Sequence, residues 1–499
     1  MLRVSKLRDG VIYQALYQAI AVCIPLVTSP YLSRVLGSEG LGIYSYNYSI
    51  VSYFLIFATL GVATYGLRAI SQSNSKREVC TNFWGIYLFH LIASVLSLIA
   101  YLLFILLCAK DRITYDISMI QVLYLLGECL NINWLFFGLE KNKSIVIRNL
   151  IIKIITVTSI FIFVNEQEDV TIYIFILALS YLLSNLVMWI CLKGCITRVK
   201  IGLYDITKHI RPCLVLFIPE IAASVYHIMD KTFLGLFSDN ANVGYYYNAD
   251  KLLNIPLTVV TGCSAVFMSR ACAQAKQLDI CGLKKTQNES ILFGMCMICA
   301  VAFGICAVTE EFIPLFFGTG YEECVILVKY FAAIVIIKTI STHTRSVFLI
   351  PENDDSSYAK SITIGALINL GVNYILIAKL RLGAIGATIS TLFAEVLVVF
   401  LQIVFMKTRE QKRECTIGVL KSLAYVLIGF LMFFAVSLIP WGDRGILTIL
   451  ILKIFVGAGM YILGCMIMWR FWPSLMPDMI KEMFQMLRKT FCKGNNYYV

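Results

Sequence analysis

The sequence predicts an all-α polytopic membrane protein of about fourteen transmembrane helices, and three observations lead to that class. Of its 499 residues 59% are apolar and 14% charged, with a mean hydropathy of +0.80, a composition far from that of a soluble domain. Apolar runs long enough to cross a hydrocarbon core about 30 Å thick, roughly 20 residues each, recur from end to end. Drawn as spans, these runs place thirty of the 42 Lys and Arg residues on one side, seven on the other and five lysines within. A positive-inside bias of that size over many short loops puts both termini in the cytoplasm.

In order, the spans are expected near 11–36, 41–67, 83–108, 115–137, 144–164, 171–193, 212–236, 243–268, 289–308, 325–347, 361–378, 384–406, 416–438 and 446–469. The short basic N-terminus runs into the first apolar stretch without a small-x-small cleavage site, so that stretch reads as a retained helix. Pro25 and Pro30 are placed to bend it. The longest outer segment, Thr309 to Glu323, reads as a helix end and loop with Gly318 and Gly320. Beyond the last span, Met479, Met483, Met486 and Leu487 share a face, and Lys481, Arg488 and Lys489 would meet anionic headgroups, the pattern of an amphipathic tail on the inner leaflet.

The chain also repeats itself. Gly42, Tyr44, Arg68, Ala69 and Gln72 recur as Gly244, Tyr246, Arg270, Ala271 and Gln274 at an offset of 202, while Leu139-Glu140 and Arg148 match Pro351-Glu352 and Lys360 at 212. Six helices per repeat is an even number, so both repeats start inside and are parallel, related by a pseudo-two-fold along the membrane normal. The expected organisation is a six-helix bundle over 1–200, a second over 201–410, two extra helices over 411–470 and a basic tail over 471–499. Two such bundles would form a V around a central cleft and work by alternating access.

Several function classes are excluded. The net charge of +12 is a topology signal; no basic, aromatic-interleaved soluble domain exists to hold a polynucleotide. No P-loop, GxSxG, HExxH or glycine-rich dinucleotide turn is present, so neither an enzymatic activity nor a cofactor is expected. Most of the seventeen cysteines fall in spans or inner loops, where disulfides are not expected. Cys296 and Cys299 form a CxxC with no second pair or nearby histidine, which favours small apolar packing over metal binding.

Ionisable groups inside spans are costly and usually face a bundle interior or a wet cavity. On the seventh span Glu220, Ser224, His227 and Lys231 share a face, with Asp230 adjacent. The eighth answers with Tyr247, Lys251, Asn254, Thr258 and Thr261, and Asp250 beside them. Lys338, Thr342 and Arg345 share a face of the tenth; Gln14, Gln18 and Arg34 lie on the first, Tyr124, Glu128 and Asn131 on the fourth and Lys153 on the fifth. Asp250 and Lys251 are near enough the outer end to snorkel; Lys153 and Lys338 are too deep. His90, Ser94 and Ser97 read as helix-packing groups. The cations proposed to line the cleft are Arg34, Lys153, Lys231, Lys251, Lys338 and Arg345, and such a lining suits a polyanion such as a pyrophosphate headgroup.

The stretch Pro30-Tyr31-Leu32-Ser33-Arg34-Val35-Leu36-Gly37 through Gly40-Leu41-Gly42-Ile43-Tyr44 resembles the opening signature of the polysaccharide transporters, the Wzx-type oligosaccharide flippases of the multidrug/oligosaccharidyl-lipid/polysaccharide exporter superfamily. Trp134 with Phe137-Gly138-Leu139-Glu140-Lys141, Asp230-Lys231-Thr232 with Val243-Gly244-Tyr245-Tyr246, and Gly365-Ala366-Leu367-Ile368-Asn369 with Gly383-Ala384-Ile385-Gly386-Ala387-Thr388 extend the likeness over nearly the whole chain. The resemblance implies a flippase for undecaprenyl-pyrophosphate-linked sugar units in a bacterial plasma membrane, serving capsule, exopolysaccharide, O-antigen or cell-wall glycan synthesis beside polymerases and glycosyltransferases. It also implies coupling to H+ or Na+, with Asp230, Asp250 and Glu128 as candidate carriers. The paired arginines expected early in the first helix of the related lipid II flippase are absent, Arg34 alone standing near. A multidrug exporter of the same superfamily would favour twelve helices and an acidic cavity, and a membrane polysaccharide polymerase would favour a large outer loop.

Overall fold

The computed structural model describes residues 2–108, 112–442, 445–482 and 485, with side chains from Cys23 onward except at 142–144, 218, 219, 222, 223, 225, 227, 483 and 484. The side chains of Gln14, Gln18 and His227, and most of the amphipathic tail including Met483, Met486, Leu487, Arg488 and Lys489, lie outside the described residues. Among the described residues fifteen α-helices follow one another: α1 (Leu2–Thr59), α2 (Val62–Ser71), α3 (Lys76–Cys108), α4 (Arg112–Cys129), α5 (Asn133–Gly138), α6 (Asn142–Phe163), α7 (Val170–Ile190), α8 (Leu203–Phe237), α9 (Asn240–Lys276), α10 (Ile280–Phe317), α11 (Glu322–Thr344), α12 (Asp355–Asn373), α13 (Gly383–Phe405), α14 (Arg409–Leu438) and α15 (Ile446–Phe471). Strands are absent among the described residues.

Twelve helical stretches among the described residues are long and apolar enough to cross a membrane. The first of these holds two predicted spans, because α1 passes through Gly37 with φ 68° and ψ −178°, a break in its helical path. Adding α8, whose 35 residues cover the seventh, recovers the fourteen expected. The fourth span is split into α4 and α5. α14 shows why these helices belong in lipid: Leu423, Leu427, Phe430, Leu431 and Phe434 are exposed, while Tyr425, Met432 and Val436 are buried. A ridge of bare leucine and phenylalanine that long would aggregate in water, whereas hydrocarbon solvates it and leaves the helix to satisfy its own backbone.

Two compact units emerge, residues 1–247 and 248–499. In the first, α1 packs on α3, α4, α6 and α8, and α4 packs on α7, around Phe83, Tyr87, Trp134 and Met188 near α2 and α5 and around Leu32, Leu36, Leu41 and Tyr173 near α1 and α7. In the second, α10 is the central post for α11, α14 and α15, with α12 paired to α13. Units defined by packing and repeats defined by sequence divide the chain differently, since α8 packs with the first unit although it opens the second repeat.

The repeat has a structural counterpart inside the first unit. A Cβ built on Gly42 would lie 1.7 Å from the Asn240 carbonyl oxygen, and one built on Gly244 would lie 1.9 Å from the Ser38 carbonyl oxygen. Residues 38 and 240, like 42 and 244, are one repeat apart, so the contact is reciprocal, as a local two-fold demands. Only glycine permits that approach. Gly244→Val should therefore lower stability by roughly 2–3 kcal/mol through overpacking, read as a fall in melting midpoint of the purified protein; an unchanged midpoint would show that the two turns separate freely.

The segment Thr309–Glu323 is a helix end and a loop, as its sequence reads: α10 runs to Phe317 and leaves Gly318–Tyr321 as a turn. One sequence expectation changes, because the second repeat register shifts by one. Glu140 and Asn353 both adopt positive φ (57° and 53°), and their turns close identically, Lys141 N–H to Phe136 O and Asp354 N–H to Leu349 O, each 2.9 Å. Residues 140 and 353 are thus equivalent, and Arg148 corresponds to Ser361, not Lys360.

Candidate functional site

The break between α4 and α5 leaves backbone groups without helical partners at membrane depth, where each must be satisfied by protein. Tyr87 donates its hydroxyl to Cys129 O (3.3 Å) and the Trp189 indole N–H donates to Leu130 O (2.9 Å), while Asn131 Oδ1 accepts from the Asn133 N–H (3.1 Å). Glu128, in the last turn of α4 and only 2% exposed, sits against this break. Its carboxylate accepts from Asn131 Nδ2 at 3.1 and 3.2 Å and from the Tyr181 hydroxyl of α7, and His90 Nε2 of α3 lies 3.3 Å away. A buried carboxylate is tolerable only with this density of donors.

The network continues outward from Glu128. Asn133 Nδ2 donates to Asn131 Oδ1 (2.8 Å) and Asn185 Oδ1 (3.1 Å), and Arg148 Nη1 donates to Asn133 Oδ1 and Ser184 O, both at 2.9 Å. One polar thread thus crosses α3, α4, α5, α6 and α7. It refines one sequence reading and adds one residue. His90 is not merely a packing group: Ser94 and Ser97 do bond to α1 carbonyls, but His90 faces Glu128. Arg148, which the sequence singles out only through the repeat, is buried and braces the asparagines. The signal available was composition, four asparagines within 131–149 around a proline-free helix break.

From Tyr181 a run of tyrosines leads to α8. Ring centroids are separated by 5.5 Å (Tyr181–Tyr124), 5.3 Å (Tyr124–Tyr48), 5.7 Å (Tyr48–Tyr44) and 5.9 Å (Tyr44–Tyr247). At its end the Lys231 ammonium stands 5.6 Å from the centre of the Tyr247 ring, within range of a cation–π contact. Asp230, 3% exposed, accepts from the Tyr246 hydroxyl at 2.6 Å, and Thr232 meets Ser49 (2.9 Å) and Tyr53 (3.2 Å). Consecutive residues of α8 therefore address consecutive tyrosines of α9. Glu128 on the fourth span is thus joined within the first unit to Lys231 on the seventh by this aromatic run, and Asp230 meets the neighbouring Tyr246. The i,i+4 pair Tyr44 and Tyr48 was the run's legible trace.

The remaining candidates do not join that run. Arg34 is exposed on α1, three residues before Gly37, and Lys153 is half-buried on α6. In the second unit, Asp250 accepts from Asn254 Nδ2 at 2.6 Å, Lys251 follows it half-buried, and Lys338 is half-buried on α11. Arg345 opens a π-helical turn, Arg345–Leu349. Its guanidinium lies 4.0 Å from the Tyr358 ring centre and donates to the Tyr358 hydroxyl at 3.3 Å. Widened turns of this kind gather at functional sites, and Gln287 Nε2 satisfies the Val347 carbonyl inside it (3.1 Å). Of the five lysines inside spans, Lys453 was passed over; it is buried on α15 and pairs with Glu311 of α10 at 2.6 Å, an ion pair that anchors the last helix. No group of three or more His, Cys, Asp or Glu side chains arranged to hold a metal occurs among the described residues.

Comparison with known proteins places this architecture. A protein of Escherichia coli (strain K12) named "Putative O-antigen transporter" is 24% identical over 410 residues, 81% of this chain and 97% of its own. A Shigella dysenteriae protein of the same name is 23% identical over 391 residues, 77% and 96% of the two chains. Among solved structures, the lipid II flippase MurJ in an inward closed conformation superposes with a TM-score of 0.67 at 14% identity, covering 92% of this chain and 99% of its own. An inward-facing multidrug resistance MATE family transporter of the MOP superfamily gives 0.61 at 12% identity, covering 82% and 99%. These structures share the fold: a multi-pass helical membrane protein. The model of one family, described as polysaccharide biosynthesis protein, matches residues 7–267, more than half the sequence, and the chain belongs to that family.

Proposed function

We propose that this protein is a flippase that carries an undecaprenyl-pyrophosphate-linked oligosaccharide across the bacterial plasma membrane for capsular, exo- or cell-wall polysaccharide synthesis, by alternating access. The observation that carries the reading is the Lys231 ammonium held inside the membrane-spanning part of α8 over Tyr247, with Asp230 beside it committed to Tyr246. An ammonium inside a spanning segment favours an anion, and phosphate oxygens accept from ammonium and phenol donors alike. Arg34, Lys153, Lys251, Lys338 and Arg345 are the further cations assigned to the headgroup. Membership in a polysaccharide biosynthesis family and likeness to proteins named as O-antigen transporters support a lipid-linked sugar as cargo. Glu128, Asp230 and Asp250 are assigned to H+ or Na+ coupling; Glu128 has the fullest set of donors around it.

The test is reconstitution in liposomes with a labelled lipid-linked oligosaccharide and an imposed gradient, scoring appearance in the outer leaflet. Gradient-dependent movement supports the assignment; efflux of lipophilic cations with no lipid movement would transfer the protein to the drug-exporter branch. Orientation is tested separately. Cysteines introduced at Asp169 and Asn240 should react with an impermeant reagent from outside only, and those at Gln277 and Gln411 from inside only. A reversed pattern would refute cytoplasmic termini.

A further inference from the structure

A cavity of about 730 Å³ opens in the first unit where the end of α2 and the start of α3 meet the first turns of α8. None of the six cations assigned to the cargo lines it. Its charged walls are Arg68, Lys208 and Arg211 against one carboxylate, Glu78. Glu78 Oε2 accepts from the Asn74 N–H at 2.9 Å, which closes the turn into α3, so the cavity holds three cations to one carboxylate. Lys208 leans 3.5 Å from Asp205, whose own oxygen accepts from the Gly202 N–H at 3.0 Å. Among the described residues neither Arg68 nor Arg211 has a carboxylate oxygen within 4.0 Å. At the floor the Tyr65 hydroxyl meets His209 Nδ1 at 2.7 Å. Burial holds His209 down to about 4, so the ring is neutral near pH 7 and the positive charge belongs to the three cations.

The second repeat supplies an internal comparison. Arg270, the counterpart of Arg68, lies 3.9 Å from Glu289. The cavity beside the end of α9, about 520 Å³, is lined by Lys276, Asp279 and Glu352, so carboxylates outnumber cations there. Positive-inside bias alone would make both places basic. Of these two cavities, the one built with α8 carries the cationic excess.

We infer that this cavity is an anion site for a phosphate group, separate from the cargo path, in which Arg68 of α2 and Lys208 and Arg211 of α8 close on one phosphate-bearing ligand. Two arginines offer planar forks to phosphate oxygens, and the lysine adds a point charge. Occupancy would tie α2, α3 and α8 together, and therefore favour the arrangement seen here over any other that α8 adopts. Phosphate chemistry has two sources at such a place, an anionic phospholipid headgroup or a soluble pyrophosphate.

The experiment uses the full-length purified chain and reads its melting midpoint. One arm titrates inorganic pyrophosphate into protein in neutral-lipid nanodiscs; the other compares phosphatidylcholine nanodiscs with and without phosphatidylglycerol. Stabilisation in the first arm identifies a soluble ligand, and stabilisation only in the second identifies the lipid. Arg68→Gln with Arg211→Gln should weaken apparent binding by roughly tenfold or more, and added salt should weaken the wild type in the same direction. If the double variant does not fold, each single Gln variant and the Lys208→Gln variant is measured instead, with a graded loss expected. Arg198→Gln with Lys200→Gln, on the preceding linker and outside the cavity, should respond like wild type. No response of the wild type to either probe, an undiminished response in the cavity variants, or an equal loss in the linker variant would overturn the site.

Discussion

Glu128→Ala should destabilise the protein by about 3–5 kcal/mol, the cost of removing one partner from a buried charged network. The carboxylate takes hydrogen bonds from Asn131 and Tyr181 and lies 3.3 Å from His90, so its removal takes a partner from three polar groups, of which His90 is fully buried. The measurement is the melting midpoint together with the amount of folded protein recovered from membranes. His90→Ala should cost less by itself, and the double variant should cost less than the sum, because both singles break the same contact. Glu128→Gln separates bracing from coupling. Its amide preserves the shape but sets an N–H₂ among donors, so a loss of roughly 1–3 kcal/mol is expected. If Glu128 carries the coupling ion, that variant still binds the lipid-linked sugar but no longer responds to an imposed gradient. A Glu128→Gln protein with full gradient-driven transport would confine Glu128 to bracing, and Glu128→Ala with an unchanged midpoint would remove even that.

Reversing charge at Lys231 should have the largest effect on transport. Lys231→Gln removes an ammonium from a site of low dielectric, where one charge-assisted contact to phosphate is worth roughly 1.5–3 kcal/mol, about tenfold to a hundredfold in rate. Lys231→Glu adds repulsion to that loss and should fall further. Lys231→Arg should restore part of the activity, since the field requires a positive charge more than a given shape. Arg345 offers the opposite case: its guanidinium lies over the Tyr358 ring and donates to its hydroxyl, so Arg345→Lys should rescue poorly where a planar group is needed. The same liposome assay reads all of these. Equal activity in the Lys231 Gln, Glu and Arg variants would sink the cationic recognition of the headgroup, whatever the fate of the flippase assignment.

Legibility from sequence varied with the range of the interaction. Span number and repeat were readable because lipid imposes a length and a polarity on every helix separately, and thirty one-sided cations add a bias no single loop could mimic. The motif around Gly42 and its recurrence at Gly244 were also readable, although their reason was not: each glycine exists to admit a carbonyl from the other repeat. Lys231, Asp230 and Glu128 were each picked out because an ionisable group in a span is conspicuous by itself. His90 reads by itself as a packing group, and its carboxylate partner 38 residues away comes into view only in the fold, as does the bracing of Asn133 and Ser184 by Arg148. Lys453 was overlooked for the same reason, with Glu311 lying 142 residues earlier in the chain.

What the sequence determined by itself, then, was the class, the spans, the repeat and the stock of buried charges, all of which follow from the local partition between hydrocarbon and water. Tertiary structure alone decided which of those charges compensate one another. It broke the fourth span at Asn131 and filled the break with Tyr87, Trp189 and a ring of asparagines; it lined up five tyrosines from Glu128 to Lys231; and it left Arg68 and Arg211 facing a cavity while pairing Arg270 with Glu289. The physical reason is that the cost of a buried charge depends on donors and countercharges within a few ångströms, and distance in space is the one quantity a linear string does not contain.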